Sequence, residues 1–385
     1  MIEIKPAFKE TTRSTMRVLA SLAYKVMYCG RRSRIAARSP KRILLLNGAH
    51  IGDIVISTSI LPVLRSAYPE AKIGFMVGNW SSMVIRDHPA VAWIHCVDHW
   101  RNNRSQIGLL SKLRIYRRTR KVSLREIRAL SYDMALCVYP AFLPDFMDLA
   151  WCANIPVRLG AQLSMFAPLA TMLIDWPKND FTPQGAIQAE VLRPLGLDKS
   201  HFQKRKATLP ESTEGAIQEV CALLQTDRIE NTKYRVIHMG SGAANRELPP
   251  EFWHEVAETL SKSYLLLFTG RGELEANNIV LATAGLSRCI NACGKLSWNG
   301  FVAAVRYADM VYGVESMAGH VAAAVGTRCV VAYTGIGGVA CWRPESKLAT
   351  VFTEHVPCAP CKNIHGCKEM TCLRKVRPQD LLSVD

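Results

Sequence analysis

No stretch of eighteen residues in this chain is apolar without an interrupting charge, so no segment reads as a membrane-spanning helix. A cleavable secretory leader is not evident either. The best apolar run near the start, Val18 to Cys29, contains Lys25 and runs into arginines instead of a small-residue cleavage site. An Arg-rich amphipathic beginning can also mark an organellar transit peptide, but Glu3 and Glu10 weigh against that. There is no G-x-x-x-x-G-K-[ST] loop, no H-E-x-x-H and no complete G-x-G-x-x-G. These absences speak against P-loop, zincin and dinucleotide oxidoreductase chemistry. There is also no D-x-D, the carboxylate pair that grips a diphosphate through a divalent metal.

The 385 residues suffice for two domains that each bury a core. The net charge of +16 is concentrated in two places. Residues 1–42 hold eleven Lys/Arg and two Glu, and residues 101–128 hold ten Lys/Arg and one Glu. The rest of the chain is slightly acidic, so two basic patches sit on a near-neutral body. That pattern suits an anionic partner for one surface. A basic nucleic-acid-binding protein is the non-enzyme alternative, but no pattern of stacking aromatics accompanies the charge.

Thirteen cysteines in a chain of this length do not make a disulfide scaffold. Cys96, Cys137, Cys221 and Cys329 lie in apolar runs, as core residues do. Cys358, Cys361, Cys367 and Cys372 cluster with two, five and four intervening residues. Four thiolates so spaced can hold a structural zinc or iron, or remain free or disulfide-bonded.

The segment from Lys41 to Val77 organises the first half. Ile43 to Leu46 is a short buried strand, Asn47 to His50 a loop, and Ile54, Ile56, Ile60, Leu61 and Leu64 follow at helical spacing up to Pro69. Lys72 to Val77 is the next strand, which completes a parallel crossover unit. Strands are expected again at Val91 to Val97, Met134 to Tyr139 and Pro156 to Gly160, with a partly helical basic segment over Arg101 to Leu130. After a polar stretch at 175–184, Ala186 to Leu195 reads as a helix and Asp198 to Pro210 as a linker. The second half repeats the pattern. Strands are expected at Tyr234 to Met239, Tyr264 to Thr269, Met310 to Val314 and Cys329 to Tyr333, and helices after Pro249, at Trp298 to Ala308 and at Met317 to Val325. The reading is four segments: a basic extension (1–40) with Met16, Leu19, Ala23, Val26 and Met27 at helical spacing, two Rossmann-like domains (41–197 and 198–350), and a Cys-rich tail (351–385). The extension's helix either docks on the body or lies on an anionic membrane face.

Asp53 admits two readings. It is either a helix N-terminal carboxylate or a general base at a strand-end loop beside His50. The run HIGDIVISTSILPVLRSAYPEAKI resembles the opening of glycosyltransferase family 9, the bacterial heptosyltransferase family. In that family an [LIM]-G-D follows the first strand and its aspartate is the base candidate, a match to Ile51-Gly52-Asp53. The resemblance spans roughly residues 41–375.

Further along, HMGSGAANRELPP resembles the family's diphosphate loop, which implies donor contacts from Ser241, Gly242 and Arg246, though Leu248 replaces the usual tryptophan. Glu273, after the next strand, matches an acid that holds the nucleotide ribose, and Leu296 a backbone contact to the base. The block GVESMAGH is similar to D-[ST]-G-x-x-H, with Glu315 in place of Asp and Met317 in place of Gly. It implies that Glu315, Ser316, Gly319 and His320 address the sugar and the diphosphate.

The implied fold is GT-B, two Rossmann-like parallel-sheet domains facing a cleft. The implied activity is inverting glycosyl transfer that needs no metal or other cofactor for catalysis. The donor would be ADP-heptose or a related nucleotide sugar. The acceptor would be an anionic lipopolysaccharide-core or lipid A-type glycolipid, met by His50, Arg114, Arg117, Arg118 and Arg120. Location would be cytoplasmic, peripherally on the inner membrane surface, with no nucleic-acid partner. A protein-modifying relative with a structural Cys-metal site is the alternative within the family.

Overall fold

The computed structural model describes residues 39–138, 146–161, 166–174, 181–363, 366–367 and 369–384. The helix expected in the N-terminal extension lies outside them, as does Tyr139 at the end of one expected strand. The described residues divide between two compact units. One falls within Met1–Lys178 and Gly185–Lys206, the other within Asn179–Gln184 and Ala207–Asp385.

The first unit is built on a six-stranded, all-parallel sheet: β1 (Arg42–Leu46), β2 (Lys72–Val77), β3 (Trp93–Cys96), β4 (Met134–Cys137), β5 (Val157–Ala161) and β6 (Met172–Ile174). Its spatial order is β3-β2-β1-β4-β5-β6. The crossovers carry helices α1 (Ile51–Ser57), α2 (Ile60–Ala67), α3 (Leu109–Leu130) and α4 (Met147–Cys152). Returning chain adds α5 (Gln184–Ala189), which belongs to this unit from Gly185 on, a short 3-10 turn at Glu190–Leu195 and α6 (Lys199–Gln203). The core is the expected one: Ile43, Leu44, Leu45 and Leu46 are buried, and cover from both faces explains why that run shows no polar alternation.

The second unit repeats this plan with α7 (Glu214–Leu224), β7 (Tyr234–His238), α8 (Pro250–Leu260), β8 (Leu265–Thr269), α9 (Glu273–Ala282), β9 (Cys289–Asn291), α10 (Trp298–Arg306), β10 (Met310–Val314), α11 (Met317–Val325), β11 (Cys329–Ala332), α12 (Val339–Trp342) and β12 (Ala349–Phe352). Short helices α13 (Thr371–Arg374) and α14 (Pro378–Leu382) close the described chain. Strand order is β12-β11-β10-β7-β8-β9, again all parallel. Read outward from β7, it is the same order as in the first sheet. In each sheet the direction of winding reverses between the two central strands, β1 and β4 in one, β7 and β10 in the other. Loops after those strands diverge there and leave a crevice at the carboxyl edge.

Three differences from the sequence reading have local causes. The helix expected across residues 51–67 is two helices, α1 and α2, joined through Thr58 and Ser59, whose hydroxyls are buried. Thr58 Oγ1 donates to the carbonyl of Val55, turning the chain between them. The helix expected at Ala186 to Leu195 tightens into the 3-10 turn where Pro194 enters. Residues after 350 are woven into the second unit: β12 pairs with β11, and Leu373, Val376 and Leu381 join its core. Among the described residues no helix is long and apolar enough to cross a membrane.

One glycine shows how tightly the first sheet is packed. A Cβ on Gly74 of β2 would overlap the hydroxyl of Tyr132, which itself hydrogen-bonds His95 Nε2 at 2.9 Å. Gly74→Ala is therefore expected to destabilise the protein by about 1–3 kcal/mol in denaturant unfolding, as overpacked cores do. The double change with Tyr132→Phe should recover part of that loss. Equal stability of Gly74→Ala and the parent chain would mean that the site can yield.

Candidate functional site

In the first unit the loop after β1 is held from several sides. Asn47, fully buried, donates from Nδ2 to Ser57 Oγ at 2.7 Å and accepts the Ala49 N–H at 3.0 Å. Ser57 Oγ also lies 2.7 Å from Gln188 Oε1. Trp80 Nε1 donates to the carbonyl of Ala49, and Asn102 Nδ2 to that of Gly48, both at 2.8 Å. Gly48 is required here because a side chain would run into the ring of Phe146. This frame fixes the start of α1, where Asp53 stands half-buried in the first turn. Its Oδ2 accepts the N–H of His50 at 3.1 Å. The capping function of Asp53 is thus realised at the carboxyl end of β1, beside the sheet's crevice.

His50 lies in the same turn, its ring 6.2 Å from that of Trp80. Burial first, and then the charge of Arg104, hold its imidazole down at about 4. It is a neutral donor or acceptor at pH 7, not a cation for an anionic acceptor. Of the four arginines singled out on α3, Arg114, Arg117 and Arg118 are exposed. Arg120 is not presented like them. Its Nη2 pairs with Asp148 Oδ2 of α4 at 2.8 Å, so its charge is used inside the unit.

In the second unit Ser241, Gly242, Arg246, Glu315 and Ser316 converge at the switch between β7 and β10. The Ser241 N–H donates to Glu247 Oε1 at 2.8 Å and its hydroxyl to the carbonyl of Glu315 at 3.1 Å. Arg246 Nη1 lies 3.2 Å from Glu315 Oε1. The other carboxylate oxygen of Glu315 accepts Thr334 Oγ1 at 2.7 Å, and the residue is buried. Two polar atoms at this point are buried with no hydrogen-bond partner, Arg246 Nε and Ser316 Oγ. Leaving such groups unpaired costs about 1–3 kcal/mol each, an expense that a polar ligand relieves. Ser316 also precedes α11, whose positive end is oriented toward the same place.

His320 sits in the second turn of α11, and burial holds its ring at about 4, so it too is neutral. Gly319 serves another purpose than room for a ligand: a side chain there would press on Val331 of β11 and on Pro344. Glu273 opens α9 and is exposed. Its neighbour Glu275 is the acid that leans over the loops after β7 and β8. A side chain on Gly240 or Gly270 would overlap its carboxylate, which also accepts the N–H of Arg271. Burial raises the Glu275 carboxyl above the usual range. Two acids two residues apart at a helix start look alike in sequence, and only the helix rotation decides which one turns inward. Leu296 is half-buried next to Ser297, whose N–H and hydroxyl both bond Glu219 at 2.7 Å.

The cysteine cluster does not form a metal centre in this arrangement. Cys372 is buried in α13, whereas Cys358, Cys361 and Cys367 are exposed, and all four are free thiols. Cys367 Sγ accepts the Met370 N–H at 3.3 Å. Among the described residues no group of three or more His, Cys, Asp or Glu side chains is placed to hold a metal. Of the alternatives that the spacing left open, free thiols are what the described residues show, with no converged ligand set for zinc or iron.

Four imidazoles, His50, His99, His238 and His320, are held at about 4, in each case chiefly by burial. In the unfolded chain they take up protons near pH 6.5, in the folded one only near pH 4. Stability is therefore complete above pH 6.5 and is lost as the pH falls toward 4. Unfolding free energy should drop by about 2 kcal/mol or more between pH 6.5 and 5, read by urea titration. A flat profile would mean that these rings are already accessible to protons.

Comparison with known proteins bears on the whole arrangement. A model of glycosyltransferase family 9 (heptosyltransferase) matches residues 123–371. No curated protein matches the chain. Among solved structures, a family 9 glycosyltransferase from Veillonella parvula superposes with a TM-score of 0.75 at 20% identity, covering 89% of this chain and 95% of that one. ADP-heptose LPS heptosyltransferase II of E. coli gives 0.67 at 19% identity, over 89% and 98%. TibC, an iron-containing dodecameric glycosyltransferase of enterotoxigenic E. coli H10407, gives 0.51 at 12% identity, over 90% and 75%. Their common fold is the α/β GT-B type with two Rossmann-like parallel sheets. With the model covering well over half its length, the chain belongs to glycosyltransferase family 9, the heptosyltransferases.

Proposed function

We propose that the protein is an inverting, metal-independent heptosyltransferase that uses an ADP-heptose-like donor and an anionic acceptor of the lipopolysaccharide-core or lipid A type. The observation that carries the donor half is the cluster at the β7–β10 switch: Arg246 against Glu315, with Arg246 Nε and Ser316 Oγ buried and unbonded. A diphosphate satisfies both orphan donors and meets the positive end of α11, with the neutral imidazole of His320 as a further donor. Ser241 and Gly242 border the same loop. Glu273, or the inward-leaning Glu275, takes the ribose hydroxyls, and the backbone at Leu296 the base. Arg246 and the helix end supply the charge neutralisation that a divalent metal gives elsewhere. The similarity to an E. coli ADP-heptose LPS heptosyltransferase supports this choice of donor and acceptor class.

In the first unit Asp53 acts as general base. It takes the proton of the acceptor hydroxyl, whose oxygen forms a bond to the anomeric carbon as the bond from that carbon to the diphosphate oxygen breaks. ADP leaves and the anomeric configuration inverts. Neutral His50 hydrogen-bonds the acceptor, and the exposed Arg114, Arg117 and Arg118 attract its phosphates. The enzyme works in the cytoplasm at the inner membrane surface.

Asp53→Asn is expected to lower kcat by about 10²–10⁴. Its affinity for ADP should stay within about twofold of the parent, since the two sites lie in different units. A variant that keeps more than half its kcat would remove Asp53 from the mechanism. Arg246→Ala should weaken ADP binding by about 1.5–3 kcal/mol in isothermal titration. Unchanged affinity would place the diphosphate elsewhere.

A further inference from the structure

The connection from β3 to α3 carries an aliphatic cluster to which the proposed transfer assigns no role, beside arginines to which it does. Leu109–Leu130 is the longest helix described, with eight Lys/Arg and one Glu, and only Ser123 and Ile127 of it are buried. At its start Ile107, Leu109 and Leu110 are 40%, 57% and 73% exposed. A single exposed leucine is ordinary. Three branched aliphatics within four residues, followed one to two turns later by exposed Arg114, Arg117 and Arg118, are different: greasy contact and positive charge share one stretch of surface. Another exposed aliphatic set, Leu274, Val280 and Leu281 on α9, has no such cationic surround.

The position of this stretch matters as much as its composition. It follows the carboxyl end of β3, the edge at which the β1 loop also emerges. Asn102 ties it to that loop through the Gly48 carbonyl, and Lys112 Nζ donates to the Asn103 carbonyl at 2.8 Å, bracing the segment that leads into the helix. The aliphatic turn is therefore held on the same side of the sheet as Asp53.

We infer that Ile107, Leu109 and Leu110 form a wedge that enters the acyl layer of an anionic phospholipid bilayer, while Arg114, Arg117 and Arg118 rest on its headgroups. Charge complementarity selects the occupant, because a neutral apolar partner would leave the arginines unmatched and a soluble polyanion would leave the leucines in water. The wedge turns the acceptor-side loop toward the lipid. The inference rests on the reading that the first unit receives a lipid-borne acceptor.

The test is flotation of the full chain with phosphatidylcholine vesicles, with and without about 30% phosphatidylglycerol, at about 0.1 M and about 0.5 M salt. Two variants accompany it, I107S/L109S/L110S and R114S/R117S/R118S. Arg120 is left intact because of its pairing with Asp148. The parent chain should float with the anionic vesicles and not with the neutral ones. The aliphatic variant should partition about tenfold less or weaker still at both salt concentrations, and the arginine variant should lose its preference for anionic lipid. Both should keep parental ADP affinity, which reports that they are folded. The wedge is overturned if the aliphatic variant floats like the parent, or if the parent ignores anionic vesicles. It is also overturned if the parent elutes as a dimer that the aliphatic variant abolishes, since the patch would then join two copies. A parent chain that floats but does not bind ADP would sink the donor assignment and leave the wedge standing.

Discussion

The placement of the candidate site residues depends on one constraint, the direction of the strands. The twelve strands among the described residues run parallel in two sheets, and a parallel strand can be followed by another only through a crossover that returns to the starting edge. Every loop that leaves a strand therefore emerges on the same side of its sheet. The loops carrying His50 and Asp53, Ser241 and Arg246, and Glu315 and Ser316 are scattered over 267 residues of sequence. Two adjacent central strands gather the last two pairs, and the repeated strand order gives the first unit the equivalent place.

Within that frame the electrostatics are local and economical. Glu315 is buried, and its two oxygens are shared between Arg246 and Thr334. A buried carboxylate without such partners would be costly, and with them it orients the guanidinium. The charge of Arg246 is thus already partly met within the unit. In the proposed function, donor affinity would reflect the competition between ligand and Glu315 as much as direct attraction.

The fold was legible in the sequence to the extent that burial leaves a signature. Ile43–Leu46, Met310–Val314 and Cys329–Ala332 are buried on both faces and read as unbroken apolar runs. Three of the four edge strands, β6, β9 and β12, have three or four residues each and mixed exposure and went unread, whereas the fourth, β3, was anticipated. Of the candidate site, resemblance led to the residues that now cluster, Ser241, Arg246, Glu315 and Ser316. It could not tell Glu273 from Glu275, because the choice lies in helix rotation. Nor could it foresee that Arg120 spends its charge on Asp148, a residue 28 positions away, or that the four thiols fail to meet.

The hydrogen bond that links Ser57 to Gln188 has a consequence for how the chain can be divided. Gln188 lies on a segment that returns to the first unit after residues 181–184 have joined the second, where Gln184 bonds Cys341 Sγ at 3.0 Å. The polypeptide thus passes from one unit to the other, back again, and out once more at Lys206. No single cut separates the two units as their contacts divide them. A fragment ending near residue 174 would lack the glutamine that closes the network under the Asp53 loop, and a fragment starting at 185 would carry a strand of chain foreign to its own core. A recombination event that keeps each unit whole would have to preserve all three crossings.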